Sequence, residues 1–291
     1  MTINLSYNGD LSRVQIALSN VPNGAVVVER STNQLFWQTV RGGSNLAVTG
    51  GAAALDDYEF DADVLSYYRW TQTNLEDNVD VFTSSGTWNK PSGLVAARIT
   101  VIGGGGAGGG AAITSAGQCS AGNGGGAGGV SISTIDAASL GASETVTVGS
   151  GGTGVSGSTG GNGAASSFGS HVIANGGSGG ASFGASSSNQ LGLGTAPASV
   201  SGAVGQVTGM GGPGGEAQSF GGLSIARGGD GGTGPFGGGG RGTQSSNGNA
   251  GAGRGSGGGG AANAPSQGSA RTGGNGTAGV VIVEHIFADA T

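Results

Sequence analysis

The eight residues Gly-Gly-Gly-Gly-Ala-Gly-Gly-Gly at 103–110 limit, more than any other stretch, what this chain can fold into. Glycine loses more backbone freedom on ordering than any other residue, so an isolated run of it stays flexible. With no side chains in the way, however, extended left-handed helices of three residues per turn can pack closely. Their N–H and C=O groups can then bond from one helix to the next. Each such bond is worth only about 0.5–1.5 kcal/mol net, so dozens are required. Glycine supplies 71 of the 291 residues, and the tracts recur often enough to provide them.

Composition separates this reading from its rivals. Disorder normally pairs low hydrophobicity with high charge, yet charged residues make up only 9% here and hydrophobic ones 35%. Collagen demands glycine at every third position and abundant proline, whereas this chain has six prolines and no such frame. The net charge of −6 and the singly scattered basic residues argue against nucleic acid as a partner. The one cysteine, Cys119, excludes an internal disulfide and a cysteine-based zinc site, and reads as a small packing residue. The sequence shows neither a secretory signal nor a run of about 20 apolar residues, so synthesis in a cytoplasm without membrane insertion is expected.

Glycine is distributed unevenly. Residues 1–78 hold six glycines and residues 79–291 the other 65, which predicts a domain boundary near 78. The first unit reads as a small antiparallel β-sandwich. Val14, Ile16 and Leu18 alternate with polar or small neighbours, Asn23-Gly24 marks a turn, and Val26-Val27-Val28 is β-branched. Phe36–Val40, Asp57–Phe60 and Tyr67–Thr71 complete the expected strands. The acidic run Asp56, Asp57, Glu59, Asp61 and Asp63 could offer oxygens to calcium, but it lacks the glycine and the spaced glutamate of an EF-hand loop. A solvated strand face is the reading preferred.

The segments VVVERSTNQLFWQTVRGG, DDYEF and YYRW resemble the fibronectin type III or immunoglobulin-like domain that opens many actinobacteriophage minor tail proteins. That resemblance implies a sandwich over residues 1–78 that holds the chain to other tail proteins of a virion.

Residues 79–291 read as an ordered glycine-rich domain. Strands are expected at Val79–Phe82, Ala97–Ile102, Gly129–Ser133, Glu144–Val148, Ser170–Ala174 and Gly279–Ile286, bracketing the domain at both ends. They predict a small β-sheet platform from which packed polyglycine II-type helices rise, giving an all-β chain overall. FTSSGTWNKPSGLVAARITVIGGGGAGGG, TVTVGSGGTG and GGNGTAGVVIVEHIF resemble the glycine-rich domain found at the ends of many phage tail fibres. A looser, architectural similarity links the chain to fibre-tip adhesins built from polyglycine helices whose end loops touch the bacterial surface. The segments at 113–123, 182–210, 216–227, 243–250 and 261–272 would be such loops.

Catalysis is not expected. The acids Asp136, Glu144, Glu216, Asp230, Glu284 and Asp289 are dispersed, without the paired spacing a glycosidase needs. His171 and His285 lie in strand patterns, and the many GxGxxG matches lack a following helix with Lys-Ser/Thr. No cofactor or metal is implied. The loops instead offer Phe183, Asn189, Gln190, Leu191, Leu193, Met210, Gln218, Phe220, Phe236 and Arg241 as receptor-binding candidates. Any individual Phe reads first as a core wedge, and the loop set as a whole is a better candidate than any single member. The resemblances imply a non-enzymatic virion protein of the tail or tail tip that binds a glycan or protein of the bacterial host surface, with a homotrimer suggested by analogy. A purely structural spacer or plug is the alternative. Ice binding through a flat glycine face is more remote, since the sandwich and the irregular repeat count against it.

Overall fold

The period-2 pattern of the first unit builds two antiparallel sheets in the computed structural model, which describes residues 2–72 and 78–287. The strands are β1 (Thr2–Asn8), β2 (Arg13–Ser19), β3 (Gly24–Ser31), β4 (Gln38–Thr39), β5 (Leu46–Val48), β6 (Ala52–Asp57) and β7 (Tyr67–Gln72). One sheet has the order β1-β2-β6; in the other, β3 pairs with β4, β5 and β7. Ile16 and Leu18 from the first pack against Val26, Val28, Val48 and Trp70 from the second. This places one row of each alternating strand in a dry core.

Two expected strands come out shorter. Only Gln38–Thr39 of the 36–40 segment pairs, because the Asn33 side chain accepts from the Leu35 and Phe36 N–H groups and bends the chain outward. The strand expected at 57–60 ends at Asp57. Its carboxylate accepts from the Glu59 N–H at 2.9 Å, an Asx-type turn that stops pairing. Nor is Asp57 part of a solvated face. It is 1% exposed and bonded by Arg30 at 2.6 and 2.8 Å and by the Tyr68 hydroxyl at 2.8 Å. Burial, then this hydrogen bond, pushes the Tyr68 phenol well above its ordinary value.

The second unit opens with β8 (Val79–Phe82), β9 (Gly86–Asn89) and β10 (Leu94–Ile102). Gly86–Trp88, which lies outside the strands expected from sequence, is a paired strand. It continues with β11 (Cys119–Gly122), β12 (Val130–Asp136), β13 (Ser143–Thr147), β14 (Ser166–Phe168) and β15 (Val172–Ala174). Then come β16 (Ser182–Ser186), β17 (Asn189–Leu191), β18 (Val207–Gly209), β19 (Gln218–Phe220), β20 (Ile225–Arg227), β21 (Ala262–Asn263) and β22 (Val280–Phe287). A five-stranded sheet, β18-β12-β10-β22-β8, packs on a four-stranded one, β15-β14-β13-β9. Trp88, Ile99, Val101, Val146, Phe168, Val172, Val281 and Val283 fill the space between, with Trp88 and Phe168 edge to face at 5.3 Å. The first and last long strands, β10 and β22, lie side by side, so both ends of the glycine-rich segment are rooted in one platform.

From this platform the glycine tracts run back and forth, and their hydrogen bonds have a period of three. Along residues 103–111, the N–H groups of 103, 106 and 109 donate to 129, 126 and 123. Those of 104, 107 and 110 donate to 164, 161 and 158; those of 105, 108 and 111 donate to 277, 274 and 271. All nine bonds are 2.8–3.0 Å. The carbonyls of the same tract accept from Gly177 and Gly180, from Gly152, and from Gly258 and Ala261. Six neighbours therefore surround one tract, three as acceptors and three as donors. Residues 122–129 and 255–261 are encircled in the same way, and all three tracts are buried throughout. An added Cβ would strike backbone almost everywhere along them: at Gly104 it meets the Ser150 carbonyl, at Gly108 that of Gly259. Besides backbone, this spacing admits only a few alanines and two hydrogen-bonded polar side chains, Asn123 and Ser256.

Candidate binding surface

Because many of the tracts run directly out of or into platform strands, the connections alternate between two ends of the bundle. β10, β12, β13, β14, β15, β18 and β22 mark the platform end. The opposite, distal end carries two small sheets: β16-β11-β21 and β17-β19-β20. Cys119, Ala121, Ala217, Ala226 and Ala262 form a small core beneath them, with Phe183 packed against it. Cys119 is a packing residue, and burial pushes its thiol up. Asn123 ties the distal layer to a central tract: its Oδ1 accepts from the Ala217 N–H at 2.8 Å while its backbone stays in the bundle.

The β17-β19-β20 sheet has two distinct faces. The row Gln190–Ser219–Ala226 faces inward, Ser219 and Ala226 being buried. The rows Asn189–Phe220–Ile225 and Leu191–Gln218–Arg227 face outward. Leu191 is 61% and Leu193, just beyond it, 94% exposed. Leu223 and Ile225 from the neighbouring turn and strand, and Ile113 from another distal loop, are also exposed. Arg227 sits 3.5 Å from Asp230, with both side chains more than half exposed. Apolar groups, side-chain amides and one guanidinium thus share a surface standing on a small but well-bonded base.

Seven of the ten sequence candidates come together here: Phe183, Asn189, Gln190, Leu191, Leu193, Gln218 and Phe220. Phe183 and Gln190 serve the base more than the surface. Met210 and Phe236 lie at the other end. Met210 follows β18 at the platform, and Phe236 lines a small pocket with Ala252, Gly253, Arg254, Thr277 and Ala278. Arg241 is exposed on an outer tract, its carbonyl accepting from the Asn249 N–H. Sequence reasoning missed Ile113, Leu223, Ile225 and Arg227. The alternation Ile225-Ala226-Arg227 carried the signal, but three residues are too few to read as a strand.

Several charged groups of the glycine-rich unit pair with one another. Glu144 lies 3.3 Å from His171, Glu284 2.8 Å from Arg98, and His285 is buried between Trp88, at 3.0 Å, and Asp80, at 3.2 Å. Asp289 falls outside the described residues. Among the described residues, no three His, Cys, Asp or Glu side chains come together in a metal-binding group, and no helix is long and apolar enough to cross a membrane.

No curated protein matches the chain. One family model does match, over residues 81–285, a span that begins within β8, ends within β22 and takes in platform, tracts and distal loops. The chain therefore belongs to the glycine-rich domain family.

Proposed function

We propose that this is a non-enzymatic phage tail protein in which a bundle of polyglycine II-type helices carries a host-binding tip. The three-residue period of the inter-tract hydrogen bonds supports the helix type, since a left-handed helix of three residues per turn presents the same face at every third residue. The observation that carries the adhesive reading is the outward face of β17-β19-β20, with Leu191, Leu193 and Ile225 in water rather than in a core. Exposed apolar side chains of this kind mixed with Arg and amide groups suit recognition of another molecule. The two-sheet N-terminal unit, resembling a fibronectin type III or immunoglobulin-like domain, would hold the chain to other tail proteins. The protein would then act in the virion tail after synthesis in the host cytoplasm.

Adsorption tests the reading. Leu193→Asp with Ile225→Asp should leave the folded protein intact and reduce binding of the purified chain to host cells by at least about tenfold, as loss of contact hot spots does. Undiminished binding would remove the adhesive role and leave the bundle as a spacer or plug.

A further inference from the structure

We propose that the open face of the five-stranded sheet is a self-complementary interface between two copies of this chain. One face of β18-β12-β10-β22-β8 is covered by the four-stranded sheet. On the other, the register aligns Val81, Ile282, Thr100, Ile132 and Val207 in a single row crossing all five strands. Val81 and Val207 are 58% and 61% exposed at the two edges. Ile282, Thr100 and Ile132 between them are partly exposed, and none of the row belongs to the core beneath. A β-branched row this broad on a solvent-facing side is unusual, since such faces ordinarily alternate to polar residues.

Charge identifies the occupant. The next row contains Arg98 on β10 opposite Glu284 on β22, 2.8 Å apart and both about half exposed. These two rows carry one cation and one anion, so in a chain of net charge −6 they select neither a basic nor an acidic partner, and the exposed Asp136 lies one row further along β12. The face does match itself. A two-fold axis running along the strands between β10 and β22 would lay β10 over the second copy's β22. Arg98 would then face the second copy's Glu284, and Glu284 its Arg98, closing an alternating square of charges. The same operation sets Thr100 against Ile282, and Val81 against Ile132, of the second copy. Contacts repeated reciprocally in this way define an isologous interface, and closure at two copies follows from it. The proposal rests on the sheet face alone and holds whether or not the distal loops bind a host.

Sedimentation equilibrium of the full chain tests this. A concentration-dependent monomer–dimer equilibrium is expected. Ile282→Lys should weaken it at least about tenfold. Arg98→Glu and Glu284→Arg, each of which makes the square all one sign, should do the same. An equimolar mixture of those two variants should regain dimer, because each supplies the charge the other lacks. Circular dichroism of every variant should match the parent. If Ile282→Lys fails to fold, the two exposed charge variants still decide the matter. A monomer at all concentrations, a trimer, variants that associate like the parent, or a mixture that stays monomeric would each overturn the proposal.

Discussion

At the scale of single residues, close approach of backbones decides which side chains the bundle admits. Ala107 is fully buried in a central tract, so its methyl has a gap to occupy. One position on, a Cβ at Gly108 would fall on the Gly259 carbonyl group. Ala107→Gly should therefore cost about 1–2 kcal/mol, from a lost methyl and added chain entropy. Gly108→Ala should cost at least about 3 kcal/mol, the upper end of overpacking, because the obstacle is backbone that bonds to other tracts. Denaturant titration of the two variants measures the difference; equal costs would contradict close packing. In the N-terminal unit, Asp57→Ala leaves Arg30 and Tyr68 facing an emptied site and should cost about 3–5 kcal/mol, as breaking a buried ion pair does. Tyr68 also fixes an alkaline limit. Its phenol titrates higher in the folded protein than its ordinary value of 10.0, so its contribution is fully present below that pH. The contribution is lost as pH rises through the raised folded value. Absorbance titration should show Tyr68 ionising well above its ordinary value, and thermal stability should fall above about pH 10.

At the scale of elements, the period of three makes a specific demand. A residue inserted between Gly105 and Gly106 would turn every later N–H of the tract by one third of a turn and aim it at the wrong neighbour. Three inserted residues would restore the facing and shift it only along the axis. The one-residue insertion should therefore lower the melting temperature more than the three-residue one, measured by calorimetry; the reverse order would contradict a three-residue turn. The sequence revealed some elements better than others. β2, β3, β10 and β22 were legible because alternation extends over several residues with one face dry. β17, β19 and β20 are three residues each, and their pairing depends on the bundle below rather than on their own pattern. The segment at 182–210 read as one loop, yet Ala196-Pro197-Ala198 crosses back along the bundle, with the Ala198 N–H bonded to the Ala127 carbonyl at 3.0 Å. Without glycine, that crossing carried no compositional mark, and so Met210 was assigned to the end it does not occupy.

At the scale of the molecule, a platform with an ordinary hydrophobic core roots both chain ends of a segment that folds into a bundle whose interior is almost entirely backbone. Glycine content announces that such a bundle is possible, but not which tracts lie at its centre. Residues 237–240 are four glycines, like 257–260, yet only the latter belong to a wholly buried tract. Position within the packing decides this, and no local property of a glycine run encodes it. The central claim is that these tracts form a mutually bonded solid rather than a tether. Amide hydrogen exchange of the intact protein, followed across 103–111, 122–129 and 255–261, tests it most directly. These amides should exchange at least about a thousandfold more slowly than an unstructured peptide, on the timescale of the Val281 and Ile99 strands. Exchange at the unstructured rate throughout the three tracts, with the platform still protected, would contradict it.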